Sequence, residues 1–415
     1  MSIKSYRLAL PVSMAIVALL AAVCTSDSPP APDEEVQLTW WDYYGESDTI
    51  RGQAVEDALG RYTAENPNVT FERRNIPRAD YSRTLLQSAT SGECPDLLIA
   101  ANWETAGYAE AGLITEITDQ VTEWGEQDAY YPTMWELTQY DGRTFAVPHF
   151  ADAYSIWYNA SLFDAAGLEP PETWDEMTQT AAALSDGGNR FGLAFSAVTG
   201  SEGANAFLIR SIGAGVDPVA FDSPEGLRAA EHWRELVEVG AASPGTLNWT
   251  EDDAKDQFIS GNAAMMINSA TYVAAMATEA PDLDWAIAPM PIDKTPASLM
   301  QSDNLAIGGC SESVDAAWDV IKWFQTAEAL NAYLPERGKL PARIDVAETS
   351  QWADDPIFSV FTEELPHAWS PTGPLAESPE FFPNVQLVVQ TAIGGGDLEQ
   401  ALAELDQKTA ELLAE

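Results

Sequence analysis

Val36-Gln37-Leu38-Thr39-Trp40-Trp41 alternates in character and is rich in β-formers, which predicts a strand. Residues 49–65 follow with Ile50, Ala54, Ala58 and Tyr62 at helical spacing, stopped by Asn66-Pro67-Asn68. Val69-Thr70-Phe71-Glu72-Arg73 predicts a second strand and residues 81–89 a second helix. Pro95-Asp96-Leu97-Leu98-Ile99-Ala100 is a short apolar run, as in a buried strand, and residues 104–111 form a helix stopped by Gly112. Strand–helix alternation of this kind argues for an α/β fold with a largely parallel sheet.

The same style continues downstream. Residues 154–158, 191–195, 263–267 and 304–308 read as strands. Helices are predicted from Thr173, over residues 224–239, 252–260 and 314–326, and over 398–413. Thr173 with Glu176 three residues later has the spacing of a capping box. No internal repeat interrupts the body, which runs from about residue 36 to 415.

The 415 residues carry 65 Asp+Glu against 20 Lys+Arg, a formal net charge of −45. That balance speaks against nucleic acid as a partner, since phosphate binding needs clustered Lys/Arg. It also speaks against polybasic docking on anionic lipid. The acids are spread along the chain and read as a solvated, salt-adapted coat. The 46% hydrophobic content is ample for real cores, and two domains or lobes fit the length.

Residues 1–24 differ from the rest. Lys4 and Arg7 precede an uncharged, mostly apolar run from Leu8 to Val23, too short for a membrane span and suited to a secretory signal. Cys24 follows, then a polar, Pro-rich tether over residues 25–35. A Cys in that place resembles a bacterial lipoprotein signal, which implies Cys24 as a lipid anchor to the membrane. Val23 and Ala21 depart from the small residue and Leu usual before such a Cys, so plain secretion or an uncleaved anchor stands as the alternative. Cys94 and Cys310 remain, as buried thiols or as a bridge.

Several phrases, in order, resemble the family 1 extracellular solute-binding proteins, the maltose-binding-protein-like sugar receptors of ABC importers. They include Ser91-Gly92-Glu93-Cys94-Pro95-Asp96-Leu97-Leu98, Phe145-Ala146-Val147-Pro148 and Trp157-Tyr158-Asn159. Pro170-Pro171-Glu172-Thr173-Trp174-Asp175-Glu176 and Ser260-Gly261-Asn262-Ala263-Ala264-Met265-Met266-Ile267 continue the series. The resemblance implies two α/β lobes of the periplasmic-binding-protein type, joined by a hinge of three crossovers around a ligand cleft. Lobe one is then 36–148 plus 299–342, and lobe two 152–296 plus 346–415. In the family's layout the strand after Pro95 lies antiparallel to the strand at 304–308, so a Cys94–Cys310 disulfide is implied as possible.

Sugars offer apolar C–H faces and rings of hydroxyls, so their sites need aromatic plates beside polar side chains. Strand ends facing a cleft are where α/β proteins put such groups. Trp41, Asp42 and Tyr43 end the first strand, and Asn102 and Trp103 end the strand after Pro95. Trp40 reads as core, whereas Trp41 fits either core or ligand contact. By resemblance, Asp152 falls at the first crossover and Tyr272 near the family's stacking aromatic. Asp303 and Asn304 stand where many relatives have Gly-Gly, and Arg343 falls at the third crossover. Trp249 and Trp369 are weaker candidates in loop-like segments.

The expected function is capture of a mono- or oligosaccharide, as a monomer, and delivery to an ABC transporter permease on the extracellular or periplasmic face of the cytoplasmic membrane. No cofactor is expected. His149, His232 and His367 are isolated, which argues against a metal site. No nucleophile elbow, Walker loop or dinucleotide fingerprint points to an enzyme. The rivals are a binding protein for a non-sugar solute such as a polyamine, a secreted glycoside hydrolase, and a sensor subunit without transport.

Overall fold

The computed structural model describes residues 35–371 and 380–414. The signal-like segment, Cys24 and all but the last residue of the tether fall outside them. Nine strands build two sheets: β1 (Val36–Asp42), β2 (Val69–Asn75), β3 (Leu97–Ala101), β4 (Ala146–Phe150), β5 (Tyr154–Asn159), β6 (Phe191–Ala194), β7 (Ala263–Ser269), β8 (Trp285–Ala288) and β9 (Asp303–Ile307). Their orders are β2-β1-β3-β9-β4 and β8-β5-β7-β6. Among the described residues no helix is long and apolar enough to cross a membrane.

In the first sheet β1 runs parallel to β2 and β3, while β9 inserts antiparallel between β3 and β4. All five residues of β3 are buried, as its unbroken apolar run requires of a strand covered on both faces. The β3–β9 register pairs Leu97 with Ile307 and Ala101 with Asp303. It brings Cys94 to Cys310, and the two are joined in a disulfide with Cα atoms 5.8 Å apart.

The helix Ile50–Glu65 starts at Thr49, whose side chain accepts from the Gly52 amide. It buries Val55, Leu59 and Tyr62 in the core beside Leu38 and Trp40 of β1. In the second lobe Thr173 and Glu176 close both halves of the capping box ahead of Trp174–Leu184. Helices Ser201–Gly213, Ala327–Arg337 and Phe381–Gly394 are absent from the sequence reading. The first is buried almost all round, which erases the one-sided periodicity that reveals a helix. The second carries Pro335 inside it, which reads as a breaker.

Three crossings connect the two lobes. The first lies between β4 and β5, the second between β8 and β9, and the third follows helix Ala327–Arg337. They are knit to one another. Ala151 and Leu340 exchange backbone hydrogen bonds of 2.8 and 3.0 Å. Ser298 Oγ accepts from the Tyr154 amide and donates to the Tyr154 carbonyl.

The segment after the third crossing makes contacts on both of its sides. Trp352 Nε1 donates to Asn331 Oδ1 at 2.7 Å, on the helix that leads into the third crossing. Phe361, nine residues on, packs its ring 5.8 Å from that of Trp157 in β5. The segment Ile344–Glu364 therefore straddles both lobes, because its aromatic side chains find apolar partners on each.

Candidate ligand-binding cleft

The strand ends of both sheets converge on one cavity of about 280 Å³. Tyr43 and Tyr44 reach it from the end of β1, Trp103 from the turn after β3, and Phe150 from the end of β4. Gln301, Ser302 and Asp303 enter with β9. Across from them stand Glu202 and Glu251 at helix starts, and Thr271 and Tyr272 just after β7. A second cavity of about 360 Å³ shares Tyr43, Tyr44, Arg51, Asp252, Thr271 and Arg337 with the first and extends past Ile50 to Glu279.

Each aromatic ring in this cleft has a cation over it. Arg78 lies 4.9 Å from the Tyr43 ring centre and 5.8 Å from that of Trp103. Arg337 lies 4.0 Å from Tyr44, Lys339 5.0 Å from Phe150 and Arg51 5.6 Å from Tyr272. Such contacts hold the rings in place. Tyr43 Oη donates to Asp303 Oδ1 at 2.7 Å. Burial pushes the Asp303 carboxyl up, and the Tyr43 hydroxyl and Lys339 offset part of that.

Glu251 is buried on the opposite wall. Tyr154 Oη donates to its Oε1 at 2.5 Å, and the Glu251 amide donates to Glu202. Burial first, then the Glu202 charge, pushes the Glu251 carboxyl up to about 8. It is therefore protonated at neutral pH, which spares the cleft one buried negative charge.

Tyr43, Trp103, Tyr272 and Asp303, all named from sequence, line the cavity. Six other candidates do not. Asp42 is fully buried and spent on structure: Arg73 Nε and Nη2 donate to its two oxygens at 2.7 and 2.8 Å, and Trp40 Nε1 and the Tyr44 amide add two more bonds. Trp41, on the other face of β1, is buried in a cluster with Tyr81, Leu85 and Leu98, and Arg74 covers its ring. Asn304 faces away from the cleft, its amide donating to Thr105 and to the Leu137 carbonyl. Arg343 is held outside it by Glu126, Asp345 and the Gln325 carbonyl.

The remaining two lie just behind the wall. Asn102 is buried and donates to Ser370 Oγ at 2.9 Å. Asp152 accepts from Thr271 and Lys339, both of which line the cavity. The sequence reading misses Tyr44, Arg51, Arg78, Glu251, Arg337 and Lys339. No local pattern marks these cations, because their burial in the cleft comes from contacts between distant segments.

Trp249 and Trp369 pack against cores and do not line this cavity. His149 is fully buried between Trp40, Phe150, Phe324 and Tyr333, and burial pushes its ring down to about 3. Among the described residues no group of three His, Cys, Asp or Glu is placed to hold a metal.

The sequence model of the bacterial extracellular solute-binding protein family matches residues 46–330. The chain belongs to this family. It is similar to the maltotriose-binding protein of Pyrococcus abyssi, 24% identical over 334 residues, 76% of this chain and 69% of the relative. The fold is that of an ABC transporter solute-binding protein from Thermotoga lettingae bound with alpha-D-tagatose, with a TM-score of 0.80, 23% identity and coverage of 91% and 99% of the two chains. It is also that of UgpB from Mycobacterium tuberculosis in complex with glycerophosphocholine, with a TM-score of 0.79, 18% identity and coverage of 92% and 99%. Members of this family are extracellular binding proteins, and the two-lobed fold with its cleft matches them.

Proposed function

We propose that this solute-binding protein captures a carbohydrate and delivers it to the permease of an ABC transporter. The observation that carries the reading is the pairing of Tyr43, Tyr44, Trp103 and Tyr272 with Asp303, Glu202 and Asp252 around one cavity. Rings cover apolar sugar faces, and carboxylates accept from hydroxyls. The sugars named with the Pyrococcus and Thermotoga proteins support it. The ligand enters between open lobes, the lobes close about the three crossings, and the closed form is the one a permease recognises. The ligand leaves unchanged.

The proposed lobes are 36–148 plus 299–342 and 152–296 plus 346–415, supported as far as residue 307 by the membership of the two sheets, with Ile344–Glu364 packing on both. Cys24 is proposed as a lipid anchor and the mature chain as a monomer at the outer face of the membrane. Calorimetric titration with mono- and oligosaccharides tests the function. Micromolar or tighter binding of at least one sugar is expected; tight binding of a non-sugar with no sugar bound overturns the carbohydrate claim.

One rival draws on a specific observation. The glycerophosphocholine complex of the mycobacterial protein shows that this fold accepts a charged non-sugar solute. A polyamine fits less well, because Arg51, Arg78, Arg337 and Lys339 already place four cations around the cavity.

A further inference from the structure

Arg337 carries a charge that the protein does not neutralise. Its side chain is almost fully buried, at 2% exposure, and lines both cavities. The guanidinium lies against Tyr44 and Phe150, and Nε donates to Tyr333 Oη at 3.2 Å. Nη1 is buried and finds no hydrogen-bond partner. No carboxylate comes within ion-pair distance of it among the described residues; Asp303 acts on it only from farther away.

A buried, unpaired guanidinium is costly, and every other deeply buried carboxylate–cation contact near this hinge is closed. Asp42 holds Arg73 and Asp152 holds Lys339. Arg337 sits in the cleft lining, where a ligand arrives, whereas the other buried guanidinium without a carboxylate, Arg210, lies away from it against Trp174 and Trp233. A chain with 65 acids and 20 bases has no shortage of carboxylates to place there.

We infer that the solute carries a carboxylate seated against Arg337, so that the ligand is a sugar acid and not a neutral sugar. The inference rests on the carbohydrate reading and narrows it. A carboxylate matches one guanidinium edge. A doubly charged phosphate ester would have to sit among Glu202, Asp252 and Asp303 on the remaining walls. The same acids are suited to the hydroxyls on the rest of the ring.

The test titrates the full-length mature protein with glucuronate, galacturonate and their short oligomers, with the neutral parent sugars, and with the corresponding 6-phosphates. At least one sugar acid is expected to bind about tenfold or more tightly than its neutral parent, with an advantage that shrinks as salt is added. Arg337→Gln should remove that advantage and Arg337→Lys should keep part of it. The wild-type panel decides the matter even where a variant fails to fold. A neutral parent binding as well as its acid overturns the inference and leaves the carbohydrate reading standing. So does an acid preference untouched in Arg337→Gln. A phosphate ester binding more tightly than every acid overturns the carboxylate assignment. Binding of none of these ligands overturns the inference, and the carbohydrate reading is then decided by the wider saccharide titration.

Discussion

Asp152 and Lys339, 187 residues apart, form an ion pair that ties the first crossing between the lobes to the third. Thr271, on the far side of the cleft, donates to the same Asp152 oxygen at 2.6 Å. The pair is nearly dry, with Asp152 at 1% exposure. Burial pulls the Lys339 ammonium down, and the Asp152 carboxylate offsets that.

Removing one partner strands the other. Asp152→Ala should cost about 3–5 kcal/mol of unfolding free energy, because it leaves a buried ammonium without its carboxylate. The double change Asp152→Ala with Lys339→Met should cost much less than the sum of the two single ones. Urea unfolding of the four proteins in a double-mutant cycle measures this. Additive costs would mean the pair is not coupled.

Glu251 gives the cleft a pH signature. Its folded-state value of about 8 lies above the ordinary carboxylate value. The native protein therefore binds more protons than the unfolded chain between roughly pH 4.5 and 8. Its contribution to stability is complete below that window and is lost as pH rises through it. Glu364 is pushed up to about 7 by burial and acts in the same sense. Glu251→Gln should flatten the fall in stability between pH 5 and 8.5 without abolishing it. Thermal melts of both proteins across that range check the slope, and identical slopes would refute the assignment.

The Cys94–Cys310 bridge spans 216 residues of sequence. Replacing both cysteines by serine should lower stability by about 2–4 kcal/mol, since a long loop is no longer closed in the unfolded chain. Denaturant titration of the oxidised wild type against the variant reads this directly. Ligand affinity should change little, because the bridge lies outside the cavity linings.

Trp103 and Trp41 separate binding from packing. Trp103 is half-buried and lines the cleft, so Trp103→Ala should weaken ligand binding about tenfold or more with a small loss of stability. Trp41 belongs to the core behind β1, so Trp41→Ala should cost about 3–5 kcal/mol of stability. Asp42→Ala should behave like the core change, by freeing Arg73. Calorimetry and melting curves run on all three tell the two roles apart.

The element order was legible because α/β segments alternate periods that side-chain patterns report directly. The site was half legible. Tyr43 and Trp103 could be found because they follow strands whose ends must face a cleft. Asp42, one residue earlier, could not be told from a ligand contact: its partner Arg73 comes from β2 through a parallel register that no local pattern encodes. Asn304 fails for a related reason. Alternation separates it from Asp303 but does not say which of the two faces the cavity. Arg337 and Lys339 reach the cleft from the end of a helix that Pro335 conceals.

The place of β9 has a consequence for how the protein is made. This strand lies between β3 and β4, yet it is the last of the nine in the chain. During synthesis the first half of the protein emerges with its sheet missing an inner member, and the gap is filled only once residue 307 of 415 has left the ribosome. Until then β3 and β4 have exposed edges and no common partner, and the first lobe has no complete core to close. The first lobe of this member of an extracellular family is therefore completed late, by a segment that leaves the ribosome long after the strands on either side of it.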